Sequence, residues 1–600
     1  MSLDNQIKTI RERVNIRLYD SRDSALKLLS FGSLFVALFT IVSLVIYHGF
    51  QLNDVQNKII GYIVRGSIGY YLVKFIIELI YNFQPRQFLL DRKWEAGLMA
   101  FLIVNILVIN IAHVELLYYL GNILGIPGLQ SGFLLFLQFY VLVIVGLEFG
   151  RVGEFLPRSN FSAPSLLVFS FLFLIVLGTL LLMLPEMTAG SGHLDFVTAL
   201  FTSISASCVT GLSLVDVSAV LSFKGQFVLM VLMQLGGLNI ISFAALFAIL
   251  RGGFGMRQQN FMSENLGENL KQSRSLVGSI FRLTFTLELI GALLLGLIWY
   301  TSFDSLGDTI FFSLFHSISA FNNAGFSLFS DSLATPGVAS NGGVHAIIAI
   351  LIVLGGIGFG TISDVLHQPW RKQPMSKSWR GLRIGTKLGL VVSGILIVLG
   401  TVILAATVAP DQGLGKHIGE SVFQSITART AGFNTLDIGS MATPALLLLI
   451  FLMFVGGGSG STAGGIKTST FALVFLSAAA TIKGKKNINL YKLQIPWELM
   501  NRAFAVFLFA VVFMFIGIFS LAVFEPQMDL LDLVFEEVSA FCTVGLSTGI
   551  TADLSLASKA VLMVSMLVGR VGTLTLAFAL SAKRPESNYF KYPKARMNVG

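Results

Sequence analysis

A single phrase recurs four times in this 600-residue chain, each time between two long apolar stretches. That repetition restricts the fold more than any other feature. It reads ALFTSISASCVTGLS at 199–213, SLFHSISAFNNAGFS at 313–327, SVFQSITARTAGFNT at 421–435 and LVFEEVSAFCTVGLS at 533–547. In each copy a Phe is followed four residues later by Ser or Thr and then Ala, and a short polar run ends in Gly plus Leu or Phe. The Phe-to-Gly spacing is ten in three copies and nine in the third, and the glycines are Gly211, Gly325, Gly432 and Gly545.

The flanking stretches are long enough to cross a bilayer, which needs about 20 apolar residues. Twelve spans are predicted, near 28–50, 59–82, 96–119, 131–150, 164–184, 226–250, 277–300, 345–366, 388–409, 445–482, 503–524 and 560–582. The 59–82 span carries Arg65 and Lys74, and the 445–482 span is over-long and interrupted by glycines. With 54% hydrophobic and 12% charged residues, a soluble globular protein and a disordered chain are both excluded. The net charge of +9 is an orientation signal. With the N-terminus inside, 31 of the 41 Lys and Arg fall in the tails and inner loops, as the positive-inside rule requires. Nucleic-acid binding, which needs a basic reading face, is not supported. The first 27 residues carry six basic residues and no cleavage site of a secretory signal, so the N-terminus is expected to remain cytoplasmic.

Each phrase begins with a short amphipathic segment, at about 194–206, 308–321, 417–428 and 530–541. At 1.5 Å per residue such a segment covers roughly 20 Å, too short to cross. It is expected to enter from outside and turn back, which non-helical backbone can do only inside protein or beside a wet cavity. Its negative C-terminal end favours a cation, and the following glycine allows positive φ. Four such loops around one axis make an oxygen-lined filter. The loops are uncharged except for Arg429 and hold no ring of carboxylates, which suits a dehydrated monovalent cation better than calcium.

The four phrases, in this order, resemble the filters of the superfamily of K+ transporters comprising the Trk, Ktr and HKT proteins, and look closest to the bacterial Ktr-type membrane subunit. The resemblance covers about 164–582. It implies an all-α integral membrane protein with a fourfold pseudo-repeat of helix, re-entrant pore helix, filter loop and helix around one pore. The implied divisions are a cytoplasmic tail at 1–27, extra N-terminal transmembrane helices of unassigned role at 28–163, pore repeats at 164–250, 277–366, 388–482 and 503–582, and a cytoplasmic tail at 583–600. The implied filter residues are Cys208, Val209, Thr210 and Gly211; Asn323, Ala324 and Gly325; Thr430, Ala431 and Gly432; and Thr543, Val544 and Gly545.

The third inner span is broken by Gly456, Gly457, Gly458, Ser459, Gly460, Ser461, Thr462, Ala463, Gly464, Gly465, Ile466 and Lys467. Such a run prevents a regular helix and supplies a flexible loop at mid-membrane. In the family this position, 456–467, holds an intramembrane gate, and Arg570 in the last span faces the cavity beneath the filter. Two residues depart from the pattern: Asn239 in LGGLNII, where Gly is expected, and Ala463, in a place that is often Gly. The match to GxGxxA at Gly458, Gly460 and Ala463 follows an apolar run and is not a dinucleotide site. Glu288 is read as a packing or hydrogen-bonding group, His316 as a packed residue, and Cys208 and Cys542 as small side chains behind the carbonyl ring.

Seven scattered histidines show no metal-ligand spacing, and no hydrolase elbow or Walker A sequence occurs, so neither an enzyme nor a resident metal is expected. No cofactor is expected in this chain. The resemblance implies a homodimer in the bacterial inner membrane, resting on a separate cytoplasmic ring of Rossmann-type nucleotide-binding subunits. The function it implies is K+ uptake down the electrochemical gradient. Two alternatives remain open at the sequence level: the K+-translocating subunit of a P-type pump, and a Na+-coupled or Na+-permeable relative.

Overall fold

The computed structural model describes residues 163–238 and 273–576 apart from short breaks, together with most of 25–104. The spans expected at 96–119 (beyond 104) and 131–150, the second half of 226–250, Asn239, most of the N-terminal tail and the C-terminal tail lie outside the described residues.

Four helical units follow one another, and each has the same order of elements. The first contains α1 (Ala163–Leu182), short α2 (Phe196–Ser207) and α3 (Phe223–Leu238). The second contains α4 (Ser273–Trp299), short α5 (Leu306–Phe321), α6 (Gly342–Ile357) and α7 (Phe359–His367). The third contains α8 (Ile384–Thr407), short α9 (Leu414–Thr427), α10 (Thr443–Phe454) and α11 (Thr468–Ile482). The fourth contains α12 (Trp497–Phe524), short α13 (Leu530–Phe541) and α14 (Leu556–Val571). A two-stranded antiparallel hairpin, β1 (Asn489–Leu490) with β2 (Leu493–Gln494), joins the third unit to the fourth.

Capping residues fix where three of the short helices begin. Asp195 Oδ2 accepts from the amides of Val197 and Thr198 at 3.1 Å, Ser305 Oγ from Gly307 at 3.1 Å, and Asp529 Oδ1 from Leu531 at 3.0 Å. Such caps satisfy amides that the helix itself cannot. The short helix of each unit packs against the long helix before it and, in three units, against the helix after it. In every unit a glycine makes that approach possible, Gly517 facing Glu537 in the fourth. Gly178, Gly291 and Gly400 leave room for Ser203, Ser317 and Ser425. Those hydroxyls donate to the carbonyls of Ile175 (2.8 Å), Glu288 (2.6 Å) and Ile397 (2.9 Å) on the preceding helix.

The outward faces are apolar. Leu297 on α4, Val398 on α8 and Phe515 on α12 are each more than 60% exposed. Continuous apolar surface of this kind is a lipid-facing surface. Segments 278–299, 384–407 and 497–524 have mean hydropathies of 1.8, 2.7 and 2.9. The chain is a multi-pass membrane protein.

Several spans differ from their sequence boundaries. The 345–366 stretch is not one straight helix: it stops at Ile357 and turns by 95° into α7. Gly358 sits at the turn with φ of 102°, a backbone conformation that a side chain would strain. Within the expected 560–582 span, helix α14 is interrupted after Val571, where Gly572 has φ of 89°, and 577–582 lie outside the described residues. The 445–482 stretch is two helices separated by irregular backbone from Val455 to Lys467. The expected 59–82 span is a continuous helix, Asp54–Ile80, and it accommodates Lys74 by burying it 3.9 Å from Glu78.

Candidate ion pathway

The short helices end at Ser207, Phe321, Thr427 and Phe541, and the four glycine loops begin there. Their backbones share one conformation. Val209, Asn323, Thr430 and Thr543 have φ of 58°, 58°, 74° and 48°. Two residues later Gly211, Gly325, Gly432 and Gly545 have φ of 99°, 72°, 86° and 92°. The residues between them, Thr210, Ala324, Ala431 and Val544, are not in that region. The left-handed region is costly for residues with a Cβ, so the shared strain in all four loops marks a functional backbone.

The helix ends hold the loops in place. The amides of Thr210, Ala324 and Val544 donate to the carbonyls of Ser205, Ser319 and Ser539 at 2.7–2.8 Å. In the third loop Ala431 donates to Thr427 at 2.9 Å. The hydroxyls of Ser205 and Ser539 accept from Gly211 and Gly545 at 3.1 Å. In the second copy the Ser319 hydroxyl instead donates to the Phe326 carbonyl at 2.8 Å, and in the third the Thr427 hydroxyl makes no hydrogen bond.

The glycines interlock in a cycle. A Cβ on Gly211 would lie 2.6 Å from the Ala324 carbonyl oxygen, and one on Gly325 would lie 2.6 Å from that of Ala431. One on Gly432 would strike the Val544 oxygen, and one on Gly545 the Thr210 oxygen. Unit one meets two, two meets three, three meets four and four meets one. The ring is built of buried backbone: Thr210, Ala324, Ala431 and Val544 are fully buried.

The residue three before each glycine is Cys in the first and fourth units, Asn322 in the second and Arg429 in the third. Cys208 and Cys542 are buried free thiols. Asn322 donates to Glu288 Oε1 (3.0 Å) and Gln234 Oε1 (2.8 Å), and Gln234 Nε2 donates to Glu288 Oε2 (3.1 Å). Glu288 is therefore a hydrogen-bonding brace behind the second loop. His316 is packed between Trp299, Phe312 and Phe329, with Nδ1 2.8 Å from the Phe312 carbonyl.

The segment 456–467 runs beneath the ring. A Cβ on Gly464 would strike Thr543 Oγ1 and lie 2.6 Å from the Cys542 carbonyl, and one on Gly456 would lie 3.0 Å from Thr430 Cγ2. The segment is tied to the bend of the second unit. Gly458 donates to the Gly356 carbonyl (2.7 Å), Thr462 to that of Gly355 (3.4 Å), and Phe359 donates to that of Gly460 (3.1 Å). Its ends meet where Gly456 donates to Ile466 at 3.0 Å. Lys467 Nζ donates to the Ala463 carbonyl. Ser461 Oγ donates to Gly458 (2.7 Å), and Ser459 Oγ lies 2.7 Å from Ser469 Oγ. Arg570 joins its two neighbouring units: Nη1 donates to the Thr462 carbonyl, and Nη2 to those of Gly236 (2.7 Å) and Gly237 (3.2 Å).

Two acidic residues were not singled out in the sequence. Glu536 accepts from Ser547, Thr548 (3.2 Å) and Thr551 (3.0 Å), and so holds the chain just beyond the fourth loop. Glu537 occupies the place of Ser203, Ser317 and Ser425; its Oε1 accepts from Ser565 at 2.6 Å and its Oε2 has no partner. Aligning the four phrases on their Phe exposes that substitution directly.

Four helical units closed around a ring of strained backbone define a multi-pass membrane protein. Comparison with known proteins agrees. The TrkH cation transport protein family matches residues 162–592. The Ktr system potassium uptake protein B of Bacillus subtilis is 36% identical over 74% of this chain and 97% of its own length. The potassium/sodium uptake protein NtpJ of Enterococcus hirae is 33% identical over 74% of this chain and 98% of its own. The crystal structure of the potassium transporter TrkH from Vibrio parahaemolyticus shares the fold, with a TM-score of 0.55 at 19% identity over 69% of this chain and 83% of that one. The chain belongs to the TrkH family of cation transport proteins, and it is a transporter, not an enzyme.

Proposed function

We propose that this chain is the membrane subunit of a K+ uptake system and that its glycine ring is the selectivity filter. The observation that carries the reading is the cycle in which each glycine lies against the carbonyl before the next one. Thr210, Ala324, Ala431 and Val544 supply the carbonyls that replace water around K+, together with those of Cys208, Val209, Asn323, Thr430 and Thr543. The short helices add the negative ends of their dipoles. Uptake follows the membrane potential, which contributes about 2.3 kcal/mol per charge per 100 mV.

The segment from Gly456 to Lys467 is the gate, latched by Arg570. Its position beneath the ring supports this, as does its attachment to the bend at Gly358 and to Arg570. The assembly is a homodimer in a bacterial plasma membrane with both termini cytoplasmic. A separate cytoplasmic nucleotide-binding ring opens the gate, as the name "Ktr system" of the relatives is consistent with more than one component.

The test is uptake of K+ and Na+ by a K+-uptake-deficient bacterium producing the chain, alone and with a cytoplasmic Ktr-type subunit. K+ uptake that is lost or loses its preference in Gly211→Ser supports the filter. Equal K+ and Na+ uptake by the unaltered chain would favour the behaviour named for the Enterococcus hirae relative. Unchanged selectivity in an active Gly211→Ser chain would rule the ring out.

A further inference from the structure

The third copy of the phrase is one residue shorter than the others, and Arg429 occupies the place that Cys208, Asn322 and Cys542 hold in the other loops. The short helix α9 ends at Thr427, with Ala428 as its cap, so Arg429 leaves the helix immediately before Thr430 of the ring. Its side chain points down, away from the ring, to the start of the loop below. Nη2 donates to the Gly456 carbonyl at 2.9 Å and to Ser393 Oγ at 3.0 Å, and Nη1 to the Ser393 carbonyl at 3.5 Å. Arg429 is 8% exposed, and among the described residues no carboxylate pairs with it. A buried guanidinium held only by neutral oxygens depends on each of them.

We propose that Arg429 is a strut that couples the ring to the gate, with its backbone in one and its side chain on the other. The proposal rests on reading the ring as filter and 456–467 as gate, and it adds a second tether. Arg570 holds the middle of the loop at Thr462, from the fourth unit. Arg429 holds the loop where it leaves α10, from the third. Movement of Gly456 removes an acceptor from a buried cation, so the loop and the position of Thr430 change together. A cavity of about 20 Å³ beside the guanidinium, lined by Ile352, Gly356, Ile426 and Gly457, has room for about one water. Arg429 is a positioning residue: it acts through the loop and does not touch the ion.

The experiment compares Arg429→Met in the full chain with the same change in a chain lacking residues 459–463, without the cytoplasmic subunit. Loop opening is also read directly, by the rate at which Ser461→Cys is modified by a charged thiol reagent. In the full chain Arg429→Met is expected to raise K+ uptake at least about fivefold and thiol modification about tenfold, the range of a typical coupling energy. The K+/Na+ preference should change by less than about twofold. In the loop-deleted chain, Arg429→Met should add nothing. An effect of equal size in both backgrounds overturns the strut while leaving the gate intact. If deletion of 459–463 fails to raise uptake, the gate reading falls and the strut with it. Should Arg429→Met fail to assemble, Ser393→Ala removes one of its acceptors. A faster Ser461→Cys modification then supports the strut, and an unchanged rate overturns it.

Discussion

A side chain on Gly545 would run into the carbonyl oxygen of Thr210, which joins the last of the four units to the first. The other three junctions are made in the same way, so the ring tolerates no Cβ at any glycine. Each of these glycines also has φ between 72° and 99°. A residue with a Cβ therefore meets two penalties at once, a strained φ of about 1–2 kcal/mol and a clash with backbone that cannot swing aside.

Gly211→Ala, Gly325→Ala, Gly432→Ala and Gly545→Ala should consequently behave alike. Each is expected to lower K+ uptake at least about tenfold at unchanged membrane expression, the kinetic equivalent of about 1.4 kcal/mol. Uptake kinetics for the four variants, read against protein level, check this. A single tolerated alanine would show that its junction is looser than the cycle implies.

Glu288 makes a second prediction. Its carboxylate accepts from both Gln234 and Asn322, and Asn322 stands three residues before Gly325. Glu288→Ala leaves two buried amides without that partner, each a loss of about 1–3 kcal/mol. Glu288→Gln can keep one of the two bonds by rotating its amide. The expected order of thermal stability in detergent is wild type, then Gln, then Ala, with K+/Na+ preference falling in the same order. If Glu288→Ala lowers stability but leaves preference untouched, the brace serves the fold and not the second loop.

Much of this site was legible because backbone carries it. The ring needs glycine at one position, and that glycine recurs in every copy of the phrase, ten residues after the Phe in three copies and nine in the third. The break at 456–467 was legible for the same reason, since no other composition supplies so many glycines. The 95° turn at Gly358 was not, because the glycines at 355, 356, 358 and 360 inside an apolar run are compatible with a straight helix packed through small residues, and only packing against Gly460 reveals the bend. The place of Arg429 was legible, but not its partner: Gly456 and Ser393 are distant in sequence, and a carbonyl acceptor leaves no trace in residue identity. Glu537 could have been found by aligning the copies, which set it against three serines.

The packing of the short helices gives a third prediction. Ser203, Ser317 and Ser425 each fill the space left by a glycine, and each donates to a carbonyl three residues before it. Hydrogen bonds between membrane helices average only about 0.6 kcal/mol. Ser317→Ala should therefore be nearly neutral, whereas Gly291→Leu should prevent assembly by separating α4 from α5. Gel filtration of the two variants in detergent after mild heating distinguishes them. Equal losses would mean that the hydroxyl, not close approach, sets the contact.

Three carboxylates outside the spans, Glu186, Asp195 and Glu525, have lowered pKa values and contribute to the acid response. The hydrogen bond from Lys224, with Nζ 3.0 Å from Oε2, holds the Glu186 carboxyl below its usual range, and the hydrogen bond from Thr198 does the same for Asp195 at the start of α2. A carboxylate whose folded pKa is depressed contributes stability above its unfolded value of about 4. That contribution is lost as the pH falls through the folded value. Glu186 is partly exposed, so its pair with Lys224 amounts to no more than about 1 kcal/mol. The stability of the purified chain should thus be flat from pH 7 to about pH 5 and decline below about pH 4. Glu186→Gln should have a small effect at neutral pH and a shallower decline in acid.

Arg570 yields the last prediction. It donates to the Thr462 carbonyl in the segment beneath the ring and to the carbonyls of Gly236 and Gly237 in the neighbouring first unit, so one side chain bridges the first, third and fourth units. Charge and reach are separable here. Lysine keeps the charge but is a compact cation that cannot present the planar fork of guanidinium to carbonyls on two sides. Arg570→Lys is therefore expected to release the segment almost as fully as Arg570→Gln, raising uptake by the unpartnered chain about fivefold or more in both. If the fixed charge is what limits conduction, only Arg570→Gln will raise uptake and Arg570→Lys will match wild type. Initial K+ uptake rates for the two variants at equal expression decide between a latch and an electrostatic barrier.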